Sequence, residues 1–555
     1  MDLYPFGARF LEEVRPMKPP FALSILCVLP ALACCAARAA DKPVQQPINL
    51  LFLMTDQQRF DAMSCAGNGV IKTPNLDRLA AGGVRFAKAY TCCPVCVPAR
   101  TTILTGHSPE SNKVLSNQDL DRTDVPHLPT FDQVLLRNGY HGEYHGKWHS
   151  PYQFALDYSR PVRWSTGRKQ PPGSKADKSH SMAFLEYVAA HVAERPLQPG
   201  ELLAGSYGRP YRPDPLDAAY GQTHNKVTKG ESFGCLDIPP EYTHTAYTAK
   251  EGIEALERLK DSPFTLTISI SPPHPPMVLP RPYYGMYPPT SMPMPASIAD
   301  PLDYSPYHAR GLHLDPAYRE KNKLCYMISD YYGLVTEVDD WVGRILRRLD
   351  ELGLADHTLV VFTSDHGEML GDHGMYSKGL FYEGSVHVPL LLRLPGVVPA
   401  GGVIQTPVSH IDLLATILDY CHMVAPPSEG RSLRALIDGK EDGRQRFVVS
   451  EWEGTAVPAF MVFDGRWKLL FGRSPEARSL DALYDLKSDT LEMQNLLGAS
   501  GDWQSHRGEA ERLKGLLVDW LARMKSPSAE SVKARPIAQQ DDPVKTKIGR
   551  RRTKP

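Results

Sequence analysis

Three apolar runs of strand length mark the chain, at residues 48–54, 264–270 and 358–363. Unbroken apolar runs are typical of parallel strands that are covered on both faces. Amphipathic segments alternate with these runs from residue 46 onward, and one of them carries an apolar stripe at helical spacing. That stripe consists of Leu334, Val338, Trp341, Ile345, Leu349 and Leu352. The pattern predicts an α/β fold with a mainly parallel central sheet sandwiched by helices.

The pattern changes after about residue 425. Short apolar runs at 447–450, 460–463 and 467–471 predict a small antiparallel sheet, and residues 507–524 predict a helix that closes it. We therefore expect a large domain at 46–424 and a smaller C-terminal α+β domain at 425–524.

Two further segments depart from the regular pattern. Residues 150–235 have no clear period and are rich in Pro, Gly, Tyr and charged residues, so we interpret them as an insertion that faces the substrate. Residues 525–555 are polar and basic, and they are predicted to form a disordered tail.

The first forty residues are typical of a signal-peptide region. The apolar run 21–37 leads into a small-residue cleavage site near Ala39, and a start of translation at Met17 fits this signal better than Met1. The alternative is a membrane anchor, but the run is short for a bilayer span and Pro30 interrupts it. The sequence thus predicts export to the periplasm or the extracellular medium, without a stable membrane span.

The net charge of the chain bears on its binding partners, and its cysteine content bears on disulfide bonds. A formal net charge of −1 gives no broad basic surface, so no nucleic-acid partner is expected. After the predicted cleavage an odd number of cysteines remains at irregular spacing, which specifies no disulfide framework. They are Cys65, Cys92, Cys93, Cys96, Cys235, Cys325 and Cys421.

The segment Cys96-Val97-Pro98-Ala99-Arg100 has the features of a helix start. Pro98 suits a first helical turn, and Gly106 stands where a left-handed C-terminal residue is expected. Peptide dipoles and unpaired N–H groups favour negative charge at a helix N-terminus. Cys96 is therefore a candidate nucleophile beside an anion site, and Arg100 a candidate source of fixed positive charge.

Cys93 and Cys96 also form a C-x-x-C pair, which is a redox or metal-binding motif in other contexts. A second C-x-x-C is absent from the sequence, and no thioredoxin-like pattern follows this one. The redox interpretation is therefore the weaker one.

Oxygen and nitrogen donors follow two of the predicted parallel strands. Asp56 comes directly after the first apolar run, and Asp365 and His366 follow the third. Because ligands bind beyond the carboxyl ends of parallel strands, these side chains are candidate metal ligands. Taken alone, an aspartate in this position is more often a turn or capping residue.

Four other polar residues stand in distinctive local contexts. Lys147 and His149 are two residues apart, so they share a face if the chain is extended there. His274 lies in a loop with prolines on both sides, which restricts its backbone. Lys378 follows Ser377 in a turn-like segment, where without further context it would be an ordinary surface lysine.

Together these segments resemble the signature of the type I sulfatases of the alkaline phosphatase superfamily. The matching motifs are Cys-x-Pro-x-Arg at 96–100, Gly-Lys-Trp-His at 146–149 and Pro-His-x-Pro at 273–276. They follow one another in the order found in that family, and the resemblance covers nearly all of the mature chain. It implies hydrolysis of sulfate esters.

The resemblance also implies a role for each residue. A separate formylglycine-generating enzyme would oxidise Cys96 to formylglycine, whose hydrate carries the nucleophilic hydroxyl and a second hydroxyl that expels sulfate. Lys147 would contact the formylglycine and the substrate sulfate, and His149 would accept a proton when the sulfated intermediate collapses. His274 would protonate the leaving alcohol, and Lys378 would neutralise the transferring group.

In the same way, Asp56, Asp365, His366 and the formylglycine at position 96 are implied as metal ligands. Many sulfatases have a second acidic residue where this chain has Gln57, so Gln57 is a weak candidate ligand. The remaining set is similar to the branch that contains choline-sulfatases and phosphonate monoester hydrolases. Calcium is the first expectation, with manganese or magnesium as alternatives.

The leading hypothesis is an exported hydrolase of sulfate monoesters, with a sulfated carbohydrate as its expected substrate. A phosphonate or phosphate ester hydrolase of the same superfamily is the alternative within catalysis. A third alternative is a binder of sulfated glycans without catalytic activity, in which Cys96 stays unmodified. The combination of Asp56, Asp365 and His366 argues against this binder, because binding alone does not require a metal site.

Overall fold

Strands and helices alternate along the part of the chain that the computed structural model describes, residues 46–152, 180–214, 233–307, 321–440, 446–452, 458–473, 481–498 and 503–537. The strands are β1 (Asn49–Asp56), β2 (Val84–Phe86), β3 (Ala89–Tyr90), β4 (His141–Gly146), β5 (Leu202–Ala204), β6 (Arg209–Pro213), β7 (Phe233–Leu236), β8 (Phe264–Pro273), β9 (Met277–Leu279), β10 (Thr358–Ser364), β11 (Leu390–Arg393), β12 (Gly402–Ile404), β13 (Val408–Ser409), β14 (Val448–Glu451), β15 (Phe460–Phe463), β16 (Trp467–Phe471) and β17 (Ala482–Asp485). The helices are α1 (Pro74–Ala81), α2 (Cys96–Thr105), α3 (Pro109–Asn112), α4 (Phe131–Arg137), α5 (His180–His191), α6 (His244–Leu259), α7 (Lys321–Glu351), α8 (Glu383–Val386), α9 (Leu413–Tyr420), α10 (Arg434–Ile437), α11 (Trp503–Arg523) and α12 (Ser528–Ala534).

The central sheet has seven strands in the order β12-β2-β11-β10-β1-β8-β4. β1 pairs in parallel with β10 and with β8, so the three apolar runs of the sequence are neighbours in the sheet. β8 also pairs in parallel with β4, whereas β11 is antiparallel to both of its neighbours. The prediction of a mainly parallel sheet in an α/β fold is confirmed.

Alternate side chains of β1 enter hydrophobic clusters on opposite faces of the sheet. Leu50, Phe52 and Met54 pack with residues of α2, α4 and α9. Leu51 and Leu53 pack with residues of α1, α6 and α7. Helices therefore cover both faces, which is why β1 is apolar along its length instead of alternating.

The predicted C-terminal sheet is also present. β14, β15, β16 and β17 form an antiparallel meander, and apolar residues of α11 pack on one of its faces. The Glu451 N–H at the end of β14 donates to the carbonyl oxygen of Cys92 at 2.7 Å. The small sheet is thus hydrogen-bonded to the segment that leads to Cys96, and the domain boundary at residue 424 stays a prediction.

The predicted disordered tail is wrong at its beginning. Residues 528–534 form α12, and Val532 and Ile537 are buried in the cluster shared by the C-terminal sheet and α11. These few apolar residues pack on α11. The basic composition of the segment gives no indication of this packing. Residues 538–555 lie outside the described residues.

A Val532→Ala substitution tests this correction. We expect it to lower the free energy of unfolding by about 2 kcal/mol, because Val532 is fully buried and its truncation leaves a cavity. Chemical denaturation of the full chain measures the loss. Lys533→Ala is the matched control, since Lys533 is exposed and should change stability by less than about 0.5 kcal/mol. If both variants changed the free energy of unfolding by an equally small amount, the prediction of a disordered tail would stand.

The predicted insertion at 150–235 is described only in part. Within it, α5, β5 and β6 are formed, and β7 begins at its end. These three strands join β9 in a separate sheet of order β5-β6-β7-β9. Residues 153–179 and 215–232 lie outside the described residues, and the expectation that the insertion faces the substrate stays a prediction.

The predicted signal-peptide region, residues 1–40, lies outside the described residues. Among the helices that the structure does describe, none has the length and apolarity to cross a membrane.

An ion-pair group on the edge strand β4 gives a pH-dependent prediction. Hydrogen bonds from His145 and Arg258 outweigh the effect of burial and lower the pKa of Glu143 to about 2. The stabilisation is therefore complete above the usual glutamate pKa and is lost as pH falls toward about 2. We expect Glu143→Gln to cost about 1–2 kcal/mol at pH 7, since Arg258 is partly exposed to solvent, and progressively less below pH 4.5.

Urea denaturation at pH 7 and at pH 3 measures this difference. Glu254→Gln is the matched control, because Glu254 is mostly exposed and lies 3.8 Å from the same arginine. The control should have little effect at either pH. A Glu143→Gln variant whose destabilisation does not shrink in acid would contradict the assignment.

Candidate active site

The ends of β1 and β10 bring the predicted acidic residues together. Thr55 is aligned with Ser364 in the parallel pairing of these strands, so Asp56 and Asp365 emerge side by side at the same edge of the sheet. Asp56, Asp365 and His366 are fully buried. Beyond this edge the strands β1 and β10 pass into loops, which is where α/β sheets bind ligands.

Cys96 is the first residue of α2, as the sequence predicts. Gly106 ends the helix in the left-handed region with a φ of 64°, and its N–H donates to Thr102 at 2.9 Å. The N-cap residue, Val95, makes no side-chain capping bond, but Asn117, the first residue of a short 3-10 helix, accepts from the Val97 N–H at 3.0 Å. The helix start is thereby fixed beside the ends of β1 and β10.

Four potential ligands meet in one cluster. One ligand atom from each of Asp56, Cys96, Asp365 and His366 lies within 4.8 Å of the others. The Nε2 atom of His366 is 3.1 Å from the Cys96 sulfur, while its Nδ1 faces the Gly367 carbonyl oxygen at 3.0 Å. A hydrogen bond from Nδ1 to that carbonyl leaves the Nε2 lone pair directed into the cluster. The donor set of carboxylate, imidazole and residue 96 fits a divalent metal.

Arg100 orients both carboxylates of the cluster. Its Nε donates to Asp365 Oδ2 at 2.7 Å, and its Nη2 donates to Asp56 Oδ2 at 3.0 Å. Its Nη1 donates to the Lys147 carbonyl oxygen and to Ser269 Oγ. Since Arg100 binds the Oδ2 atoms, the Oδ1 atoms remain directed toward His366 and Cys96. The fixed charge predicted at Arg100 therefore acts on the carboxylates of the cluster.

Lys147 provides the second cation of the cluster. Its Nζ is paired with Asp56 Oδ2. Burial raises the pKa of Asp56, but the positive charges of Lys147, His274 and Arg100 outweigh it and hold that pKa well below its usual range. The carboxylate of Asp56 is thus kept ionised although it is fully buried.

The electrostatic field also favours an anion at position 96. Burial and Asp56 raise the pKa of the Cys96 thiol, whereas Lys147, Lys378 and His366 lower it, and the net pKa is well below the usual value. A nucleophilic oxygen in place of this sulfur would experience the same cations.

His149 is neutral in this setting. Burial and the charge of Lys147 lower its pKa to about 4, despite a hydrogen bond with Cys96. Its backbone is held in the left-handed region, with a φ of 54°. A neutral imidazole bonded to residue 96 is suited to accept a proton from a group at that position.

His274 approaches the cluster from the proline-rich loop after β8. Its Nδ1 lies 2.7 Å from the Pro275 carbonyl oxygen, and its Nε2 lies 4.0 Å from Asp56 Oδ1. The side chain is about one third exposed, in contrast to the buried ligands. It therefore stands between the cluster and solvent.

Lys378 reaches the site through Gln57. Its Nζ donates to Gln57 Oε1 at 2.5 Å, and the Gln57 amide nitrogen donates to Glu368. The Gln57 backbone N–H donates to Asp365 Oδ1 at 3.1 Å. Gln57 thus lies against the cluster with its side-chain oxygen already bonded to a cation, and its role as a ligand stays a prediction.

Several residues that support the site do not stand out in the sequence. Ser269 accepts a hydrogen bond from Arg100, and Asn117 accepts one from the backbone at the start of α2. Glu368 accepts one from the Gln57 side chain. The Tyr331 hydroxyl donates to the Gln57 carbonyl oxygen at 2.7 Å and accepts from the Arg59 N–H at 2.8 Å. Glu368 follows Asp365 and His366 closely in sequence and could have been singled out. Tyr331 lies inside a core helix, where the sequence offers no such signal.

Residues 48–423 match the protein-family model for sulfatases. The chain belongs to the sulfatase family. A second model, the C-terminal region of N-sulphoglucosamine sulphohydrolase, matches residues 371–516 of this sulfatase. The matches together span the central sheet and the small C-terminal sheet, and they make the protein a sulfuric ester hydrolase.

Individual relatives agree with this assignment. The sulfatase is 27% identical over 488 residues to an arylsulfatase of Clostridium perfringens (strain 13 / Type A), covering 85% of this chain and 94% of the relative. It is 26% identical over 518 residues to an N-acetylglucosamine-6-O-sulfatase of Bacteroides thetaiotaomicron, covering 86% and 87%. The crystal structure of a phosphonate monoester hydrolase of Agrobacterium radiobacter has a TM-score of 0.68 and 26% identity, covering 87% and 97%. The resemblance to the sulfatases of the alkaline phosphatase superfamily is therefore confirmed.

Proposed function

We propose that this sulfatase removes sulfate from a sulfated carbohydrate, using a formylglycine derived from Cys96 and a divalent metal. The observation that carries the proposal is the position of Cys96, at a helix start and within 4.8 Å of the ligand atoms of Asp56, Asp365 and His366. The similarity to an enzyme named for a sulfated amino sugar supports the substrate class.

Two groups would complete the site. Asp56, Asp365, His366 and residue 96 would hold the metal, and a divalent ion bound there would polarise a sulfate oxygen. Gln57 is only a weak candidate ligand, because its side-chain oxygen accepts a hydrogen bond from Lys378. Calcium is our first assignment because most donors are oxygen, and the single imidazole keeps manganese or magnesium as alternatives. A formylglycine-generating enzyme would supply the aldehyde, whose hydrate offers one hydroxyl to attack sulfur and another to expel sulfate.

The side chains of the protein perform the remaining tasks. Lys147 and Lys378 bind and neutralise the sulfate oxygens, while Arg100 keeps the two carboxylates oriented. His149, which is neutral, takes the proton of the hydroxyl whose collapse expels sulfate. His274 lies on the exposed side and donates a proton to the leaving alcohol.

A phosphonate or phosphate ester hydrolase is the second candidate. It is favoured by the fold similarity to a phosphonate monoester hydrolase across 97% of that enzyme. Both substrate classes present a tetrahedral anion, so the same cations and the same nucleophile can serve either.

Turnover of matched substrates decides between these candidates. We expect kcat/KM for N-acetylglucosamine 6-sulfate and for an aryl sulfate to exceed that for the aryl phosphonate monoester by about tenfold or more, a difference of 1.4 kcal/mol in transition-state binding. Removal of the metal with a chelator should abolish turnover, and calcium should restore it. A preference for the phosphonate would move the assignment to the second candidate.

We also propose that the protein is exported to the periplasm or the extracellular medium. Residues 21–37 and the cleavage site near Ala39 support this proposal. N-terminal sequencing of the mature protein tests it, with a new N-terminus close to residue 40 as the expected result.

A further inference from the structure

A large cleft lies between the C-terminal helix α11 and the catalytic part of the chain. Its volume is about 850 Å³, which is within the range of ligand-binding pockets. It is bordered by residues 107–113, by the loop before α10, by the start of β14 and by the last turn of α11. The lining residues include none of the active-site side chains, although Cys92, four residues before Cys96, reaches its wall.

The charged lining of the cleft is predominantly positive. The lysine and arginine residues that line it are Lys113, Arg431, Arg446, Arg523 and Lys525. Its carboxylates are Glu110, Asp412 and Glu429. The cationic excess is local, since the whole chain has a formal net charge of −1.

Each carboxylate of the cleft accepts a hydrogen bond from a neighbouring group of the protein. Glu110 is paired with Arg473 and accepts from Ser526 Oγ at 2.6 Å. Asp412 accepts from the Arg431 N–H at 2.8 Å. Glu429 accepts from the Ser108 N–H at 2.9 Å. These hydrogen bonds reduce the repulsion that the carboxylates would exert on an anionic ligand.

Two of the cations have no such engagement. The side chains of Arg523 and Lys525 are exposed and form no hydrogen bond or ion pair with any described residue. They stand at the end of α11, where the helix dipole does not attract an anion, so any attraction comes from the side chains themselves. Trp520, one turn before, lines the same wall and is half-buried against the cluster of the C-terminal sheet and α11.

We propose that this cleft binds an anionic oligosaccharide, with sulfate or carboxylate groups on Arg523 and Lys525 and a sugar ring against Trp520. Guanidinium and ammonium groups bind sulfate through charge-assisted hydrogen bonds, and aromatic rings offer an apolar face to a sugar. The choice of a sugar over other anions rests on the proposed function. The cleft would hold a polymeric substrate at a point separate from the active site.

Binding of a heparin-derived hexasaccharide to the full chain tests the proposal. The measurement uses a Cys96→Ala background, so that the probe is not hydrolysed. We expect the Arg523→Glu/Lys525→Glu pair to weaken binding by about tenfold or more, because it replaces two attractions by two repulsions. The matched control is Arg507→Glu/Lys487→Glu, which changes the same charge at exposed positions outside the cleft and should alter the Kd by less than about twofold.

Three results would overturn the proposal. Equal weakening by both pairs would mean that only the overall charge matters. Equal affinity for single-stranded DNA of the same length would mean a site for any polyanion, and displacement by millimolar inorganic sulfate would mean a site for a small ion. Turnover of an aryl sulfate by the Arg523→Glu/Lys525→Glu pair with Cys96 intact should be unchanged, which separates a failure here from a failure of the proposed catalysis.

Discussion

A Cys96→Ala variant is expected to lose sulfate-ester turnover by about 10³-fold or more and to keep its fold. The loss is chemical, because alanine cannot be converted to formylglycine and offers no hydroxyl to attack sulfur. Cys96 is buried and its sulfur contacts His366, so a small loss of stability from the missing atom is also expected. Steady-state kinetics with an aryl sulfate and thermal unfolding give the two readouts.

Cys421→Ala is the matched control for that experiment. Cys421 is also a free, buried thiol, but it packs in the hydrophobic cluster beside α9 and lies outside the active site. Its turnover should stay within about twofold of the parent. If Cys96→Ala kept most of its activity with normal unfolding, the proposed nucleophile would be wrong.

Arg100→Met is expected to have the largest effect on stability, a loss of about 3–5 kcal/mol. The substitution keeps much of the apolar stem but leaves Asp56 and Asp365, both fully buried, without their shared cation. Metal binding should weaken as well, because without Arg100 on the Oδ2 atoms the Oδ1 atoms would no longer be held directed toward the cluster. Denaturant titration and calorimetric titration with calcium measure these effects separately.

Two further variants separate the charge of Arg100 from its hydrogen bonds and from the loss of any arginine. Arg100→Lys keeps the charge but cannot bond four acceptors at once, so its loss should be intermediate. Arg137→Met removes an exposed arginine at the end of α4 and should cost less than about 0.5 kcal/mol. A loss below about 1 kcal/mol in Arg100→Met would contradict its role in balancing the buried carboxylates.

The framework of the fold could be predicted from its most regular segments. Residues 48–54 and 358–363 are apolar throughout because helices cover both faces of their strands, and both strands were predicted within two residues of their observed ends. The stripe from Leu334 to Leu352 predicted a helix that proves to be α7, with Val338 and Ile345 packed against the sheet.

The errors and gaps have a different physical origin. Val532 and Ile537 are isolated apolar residues in a basic segment, and their burial depends on the face that α11 presents. The hydrogen bond from the Tyr331 hydroxyl to the Gln57 carbonyl oxygen joins residues 274 positions apart in sequence. Long-range contacts of this kind leave no local pattern in one sequence.

The candidate site was predictable to the extent that strand ends and family motifs specify it. Asp56 and Asp365 could be placed together because the carboxyl ends of parallel strands lie on one rim of the sheet, and the structure shows that their strands are neighbours. The motif match could not show that Arg100 is used to orient these carboxylates, because that depends on the depth at which α2 packs. Its burial and its four hydrogen bonds appear only in the folded chain.

Mass spectrometry of the peptide that contains Cys96 tests directly whether this cysteine is converted to formylglycine. The protein is produced in a host that has the formylglycine-generating enzyme, and the same sample is assayed for sulfate-ester hydrolysis. We expect a mass about 18 Da below that of the cysteine peptide, the difference between a thiol and the aldehyde of the activated nucleophile, together with turnover. An unmodified thiol in a sample that hydrolyses sulfate esters at full rate would contradict it.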